Sequence, residues 1–175
     1  MATTYAYISK TILTSDQSTI TFSSIPSTYT DLVLRMEAQS TIASNVSYAY
    51  VQVNGDTGAN YNNGALLSNN STVTYSAQSG QNQARIAWIG GNNFTYWTGP
   101  IEIYFGNYKG STSIKTFVSD VTWGGSITGA NSGFQALNRG SYTGSSSAIS
   151  SITLTLAAGN YASGSSFHLY GVKNS

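Results

Sequence analysis

Period-two alternation of apolar and polar side chains constrains this chain more than any other feature, because it recurs along the sequence and no longer stretch of helical spacing competes with it. Leu32, Leu34 and Met36 alternate with Val33, Arg35 and Glu37, and Ile101, Ile103 and Phe105 with Glu102 and Tyr104. Ile152, Leu154 and Leu156 alternate in the same way with Thr153 and Thr155. Side chains two apart on a strand share a face, so each apolar set lines a core and the set between it faces outward. Gly, Asn, Ser and Pro separate such segments, which predicts strands over 5–13, 19–22, 31–38, 47–53, 84–89, 99–105, 114–123, 134–139, 148–156 and 166–172. With no candidate crossover helix, this spacing predicts an all-β chain, a single antiparallel β-sandwich that is jelly-roll-like, with residues 1–175 as one domain.

The breaks between strands are informative too. Pro26 fixes its own φ and biases Ile25 toward an extended backbone, so the strand with Ile20 and Phe22 ends there and a new one begins at Asp31. Asn54-Gly55 after Val53 predicts a tight turn. Two stretches escape the pattern: 60–80, rich in Asn and Ser, and 124–133, dominated by Gly and small residues. Both read as long loops, which makes them candidates for partner contact, with ordinary surface variability as the alternative. No internal repeat, linker or shaft-like heptad run is visible.

At 175 residues the chain is long enough to bury about two-thirds of its unfolded surface. Zero cysteines exclude a disulfide framework and any Cys-ligated metal. Only 7% of residues are charged, against about 25% in ordinary domains, and the net charge is +1. Such a surface lacks the repulsion that keeps proteins apart, and thirteen tyrosines add amphipathic contact area, so the whole favours packing against neighbours. The seven Lys and Arg form no cluster, which argues against direct contact with nucleic acid. No apolar run approaches the roughly 20 residues of a membrane-spanning helix. The first residues carry no basic start followed by an apolar stretch, so synthesis in a cytoplasm is expected.

Candidate chemistry is sparse. His168 is the single histidine, and in Phe167-His168-Leu169-Tyr170 it falls on the polar side of the alternation, as an interface residue rather than a catalytic base. The six carboxylates are scattered singly, whereas glycoside hydrolysis needs two held about 5 to 10 Å apart. An enzyme such as a depolymerase would depend on the fold bringing two of them together; the expectation is a protein with no catalytic residues. The loop from Asn54 to Asn60 is rich in oxygen ligands, yet Asp56 is its one carboxylate, so a hydrogen-bonded turn is expected rather than a calcium site. Gly90-Gly91 and Gly124-Gly125 precede no helix and read as turns or bulges. No cofactor or metal is expected. Trp88, Tyr96 and Trp97, with Asn62, Asn63, Asn69 and Asn70 of the Asn-rich stretch, are candidate contacts to a partner or a sugar ring; core packing or a subunit interface accounts for the same aromatic residues.

Three blocks occur in one order along the chain: Ile25-Pro26-Ser27-Thr28-Tyr29-Thr30-Asp31-Leu32, then Val51 to Tyr61 (VQVNGDTGANY), then Ser165-Ser166-Phe167-His168-Leu169-Tyr170-Gly171, preceded by Tyr7 to Leu13 (YISKTIL). Together they resemble small structural proteins of tailed bacteriophages, with the stretch 62–111 matching only loosely. The resemblance implies a jelly-roll-like domain of the virus particle with no catalytic motif. It implies a capsid decoration (cement) protein on the outer surface, bound as a homotrimer to the major capsid protein or neighbouring virion proteins. The alternative it leaves open is a tail or fibre module that binds a host-surface glycan.

Overall fold

The computed structural model describes residues 4–43, 46–69, 72–92, 99–111, 114–124 and 133–173. Twelve strands run in chain order as β1 (Thr4–Ile12), β2 (Thr19–Phe22), β3 (Asp31–Glu37), β4 (Val46–Val53), β5 (Tyr61–Asn69), β6 (Thr72–Gln81), β7 (Ala84–Gly90), β8 (Ile101–Gly106), β9 (Lys115–Gly124), β10 (Gly133–Tyr142), β11 (Ile152–Leu156) and β12 (Ser166–Lys173). They form an eight-stranded sheet, β1-β12-β3-β8-β9-β10-β5-β6, and a four-stranded sheet, β2-β11-β4-β7, with every pairing antiparallel.

Setting aside the hairpins β5–β6 and β9–β10 leaves β1-β12-β3-β8 facing β2-β11-β4-β7. Counted by themselves, those eight strands pair in the order 1-8-3-6 over 2-7-4-5, which is the double Greek key of a jelly roll. Both hairpins are insertions that join the same margin of the large sheet beyond β8, so four strands form a wing on one side of the sandwich. The core between the sheets is the apolar set expected from the alternation: Leu32, Leu34, Met36, Ile101, Ile103 and Phe105 meet Ile20, Phe22, Val51, Val53, Ile152 and Leu154.

One expectation is corrected here. The stretch 60–80 is not a long loop: its described residues form β5 and β6, paired from Tyr61–Gln81 to Asn69–Thr72. The alternation was hidden because β5 turns the polar Asn63 inward, while β6 is exposed on both faces from Thr72 to Tyr75. The second suspected loop shrinks, since β9 reaches Gly124 and β10 starts at Gly133; residues 125–132 lie outside the described residues.

The sequence blocks singled out above act as structural staples. Against the first packs Tyr108, fully buried, its hydroxyl donating to Pro26 O and accepting from Tyr29 N at 3.4 Å. The Tyr29 ring lies against the backbone of Gly171, the glycine of the last block, where a Cβ would come within 2.6 Å of Tyr29 Cδ1 and closer still to Cγ and Cδ2. In the middle block Asn54 and Gly55 both adopt positive φ, 55° and 67°, and Asp56 N donates to Val53 O at 3.1 Å, closing a type I′ turn. Asn54 Oδ1 then accepts from Ser150 N at 2.8 Å and Ser151 N at 3.3 Å, tying the turn to the start of β11.

Candidate functional site

The outer face of the large sheet is open, and its register lays out what it presents. Tyr75, Leu66, Leu137, Asp120, Glu102, Arg35, His168 and Lys10 stand directly opposite one another in turn, one from each strand from β6 to β1. A parallel row contains Arg139, Val118, Tyr104, Val33, Tyr170 and Tyr7. The face divides into a charged, aromatic half over the jelly roll and an apolar half over the wing.

On the jelly-roll half, Arg35 Nε donates to Glu102 Oε2 at 2.7 Å, and its guanidinium lies 5.4 Å from the Tyr5 ring and 5.8 Å from that of Tyr170. The bond to Glu102 raises the Arg35 pKa further above its ordinary value, so this charge is permanent. Tyr170 meets Tyr5 and Tyr7 edge-on at 6.4 and 6.3 Å. Alongside runs an open groove of about 460 Å³ whose walls include Arg35, Glu37, Pro100, Glu102, His168 and Tyr170. His168 thus sits on the polar face of β12, between Lys10 and Arg35, as its alternation required. The groove brings two acids, Glu37 and Glu102, to one place. Both are exposed, and Glu102 is engaged by Arg35. Among the described residues no three His, Asp or Glu come together as a metal set.

On the wing half, Leu66, Val73, Tyr75, Val118 and Leu137 are each between 48% and 63% exposed. Leu137 is opposite Leu66 and Leu66 opposite Tyr75; Val73 follows Tyr75 two residues along the same face, and Val118 is the diagonal neighbour of Leu137. Arg139 lies over Gly64, its Nη2 donating to Tyr75 Oη at 2.8 Å. Beneath, β7 packs across β5, β9 and β10. There Trp88 joins Ala65 and Ala136 in a second small core bordered by Val46, Leu67 and Phe134. Next to it is a polar layer: Asn138 Nδ2 donates to Ser119 Oγ at 3.2 Å, and Ser119 Oγ donates to Ile86 O. Asn63 Nδ2 and Oδ1, Asn138 Oδ1 and Arg85 Nε are buried there with no hydrogen-bond partner among the described residues.

The residues singled out from the sequence are dispersed by this arrangement. Trp88 is only 5% exposed, with Tyr48 and Phe134 each 5.6 Å away and the Arg85 guanidinium 4.6 Å from its ring, so it is core and offers no platform to a sugar. Asn63 is likewise inside, at 2% exposure. Asn62 holds the base of the β5–β6 hairpin, donating to Ser141 Oγ at 3.4 Å and accepting from Gly80 N at 3.3 Å. Asn69 ends β5, while Asn70, Tyr96 and Trp97 lie outside the described residues. The exposed apolar set was missed. Its signal was present in Leu66-Leu67 and in Val73-x-Tyr75, apolar pairs inside a stretch otherwise polar enough to read as loop.

Asp56 sits in the middle of its own donors: Gly58 N at 2.7 Å, Asn60 Nδ2 at 2.9 Å and Tyr142 Oη at 2.8 Å. These bonds, that from Gly58 foremost, hold its carboxyl below the ordinary carboxylate value, and the carboxylate in turn helps push the Tyr142 hydroxyl up, after burial. The Tyr61 hydroxyl accepts from Val53 N at 3.0 Å and donates to Asp56 O at 2.9 Å, completing a closed turn. No protein-family model, curated protein or solved structure matches the chain. The fold and its surfaces therefore carry the functional argument.

Proposed function

We propose that this chain is a non-enzymatic structural protein of a tailed-bacteriophage particle, a decoration or cement protein that binds the outer capsid surface as a trimer and stabilises the shell. The observation that carries the reading is the wing. Four strands beyond those a jelly roll needs add a broad open face, on which Leu66, Val73, Tyr75, Val118 and Leu137 form an exposed apolar cluster. A clustered apolar face costs free energy in water and gains it in contact with protein, as in the cores of subunit interfaces. The motif blocks that resemble structural proteins of tailed bacteriophages support the same reading. Energy for docking would come from apolar and aromatic burial, with little dependence on salt because so few charges take part.

Particles purified with and without this protein test the proposal. Cryo-electron microscopy should place its density on the icosahedral shell, and particles lacking it should lose DNA at lower temperature while adsorbing to host cells normally. Density in the tail, with impaired adsorption and unchanged heat tolerance, would overturn the cement reading in favour of the glycan-binding tail module.

A further inference from the structure

The wing's outer face has one occupant that its own features specify. We infer that it is the surface through which copies of this chain bind one another, with Leu66, Tyr75 and Leu137 at the centre of the contact. This supplies the interface by which the trimer of the proposed function would form and to that extent rests on that reading; the state of the free protein in solution decides it without any particle.

Charge favours a second copy of this chain as the occupant. The wing face is bordered by one cation and one anion, Arg139 and Asp120, which flank Leu137 on the exposed side of β10 and β9. The ion pair between described residues is Arg35–Glu102, so among the described residues no opposite charge neutralises Arg139 or Asp120. Arg139 donates to the neutral hydroxyl of Tyr75. Three wing faces turned toward a common axis can set Arg139 of one copy against Asp120 of the next, with apolar side chains between. The other half of the same sheet has less to gain from such a contact, because its Arg35 and Glu102 already neutralise each other within one copy.

The area of the face fits the same occupant. Five contiguous side chains, each about half exposed or more, present on the order of 400 Å² of apolar surface, about half of the ~800 Å² that each partner gives to a standard interface. The remainder is at hand in β6, the terminal strand of the large sheet, which has no Lys, Arg, Asp, Glu or Pro along its ten residues. Those are the residues that normally keep an edge strand from pairing with another chain. Patch and edge are continuous, since Val73 and Tyr75 belong to both.

Sedimentation velocity of the purified full-length chain over about 1 to 200 μM tests this, a range that resolves Kd values typical of modest interfaces. The expected result is an oligomer, three chains by the proposed function. Leu137→Glu should weaken it by at least about tenfold in dissociation constant, as for a central contact residue. Lys10→Glu, on the far half of the sheet, should leave it unchanged. Arg139→Asp should also weaken association, and combining it with Asp120→Arg should restore it, which separates a contact effect from misfolding. A monomer throughout the range, or an oligomer indifferent to Leu137→Glu and to the charge reversal, overturns the inference. A monomer that still binds capsids leaves the cement function standing and gives the wing to the capsid protein.

Discussion

Replacing Gly171 with Ala isolates the contact that joins the first and last sequence blocks. Gly171 lies in β12 opposite Leu32, and its φ is outside the left-handed region, so alanine is allowed there by backbone conformation. The obstacle is the Tyr29 ring, whose Cδ1 would be 2.6 Å from the new Cβ, with Cγ and Cδ2 nearer. Carbon atoms pack at about 3.5 to 4.0 Å, so the ring has to retreat by roughly 1 Å or more or leave the site. Retreat strains the turn, whose Tyr29 N–H is bonded to the Tyr108 hydroxyl, and departure forfeits part of the burial of an aromatic ring. Either route costs about 2 kcal/mol, which in a chain of this size lowers Tm by roughly 4 to 8 °C. The decisive assay is a double-mutant cycle by urea denaturation. With Tyr29→Ala the space is open, and Gly171→Ala should then be neutral or stabilising by a few tenths of a kcal/mol through the unfolded chain, giving a coupling near ~2 kcal/mol. Additivity of the two substitutions to within about 0.5 kcal/mol would refute the reasoning.

Asn63→Leu should stabilise the protein by about 1 kcal/mol, because it removes two buried amide atoms without partners among the described residues and keeps the branched four-atom side chain; a lower Tm by calorimetry would count against that. Asp56 gives a pH signature. Its folded carboxyl ionises below the ordinary 3.8, so its charge favours the folded state above that value and the contribution is lost as pH falls through the folded pKa. Asp56→Asn should therefore be less stable than wild type at neutral pH and converge with it in acid, as read from melting temperatures across pH; a constant difference would sink the assignment. Gly140→Ala should destabilise as Gly171→Ala does, since a Cβ there would meet the Phe117 ring, with Cδ2 at 2.7 Å, and Phe117→Leu should relieve part of the loss in thermal melts.

The jelly-roll strands were legible because each buries one face on the opposite sheet, and a one-sided face writes a period of two into the sequence. β3, β8 and β11 are the clearest cases, and the expected span of β2 matches its ends. The wing was not legible for the converse reason. β6 has water on both faces over Thr72–Tyr75, so nothing forces its apolar residues into alternation, and β5 spends an inward position on Asn63. Trp88 misled in the opposite direction. A tryptophan in a strand of apolar residues fits a core and a binding platform equally well, and only the placement of β10 over it, with Phe134 against its ring, decides for the core. The polar-face position of His168 could be read from its neighbours, but its company, Lys10 on one side and Arg35 on the other, depends on β1 and β3 flanking β12.

The unequal support of the two ends of the large sheet also sets an order of opening. β3 and β12 have strand neighbours on both sides and a fully buried inner face, so their amides should exchange with solvent hydrogen only when the whole molecule unfolds. β6 has β5 as its one strand neighbour among the described residues, with little buried side-chain surface and two arginine side chains, Arg85 to Ser76 and Arg139 to Tyr75, to hold it, and should exchange by local detachment long before the rest. Docking that covers the wing would close this gap, so the slowing of exchange at β6 on assembly, measured against an unchanged β3, gives an internal clock for how much of the binding energy goes into fastening that strand.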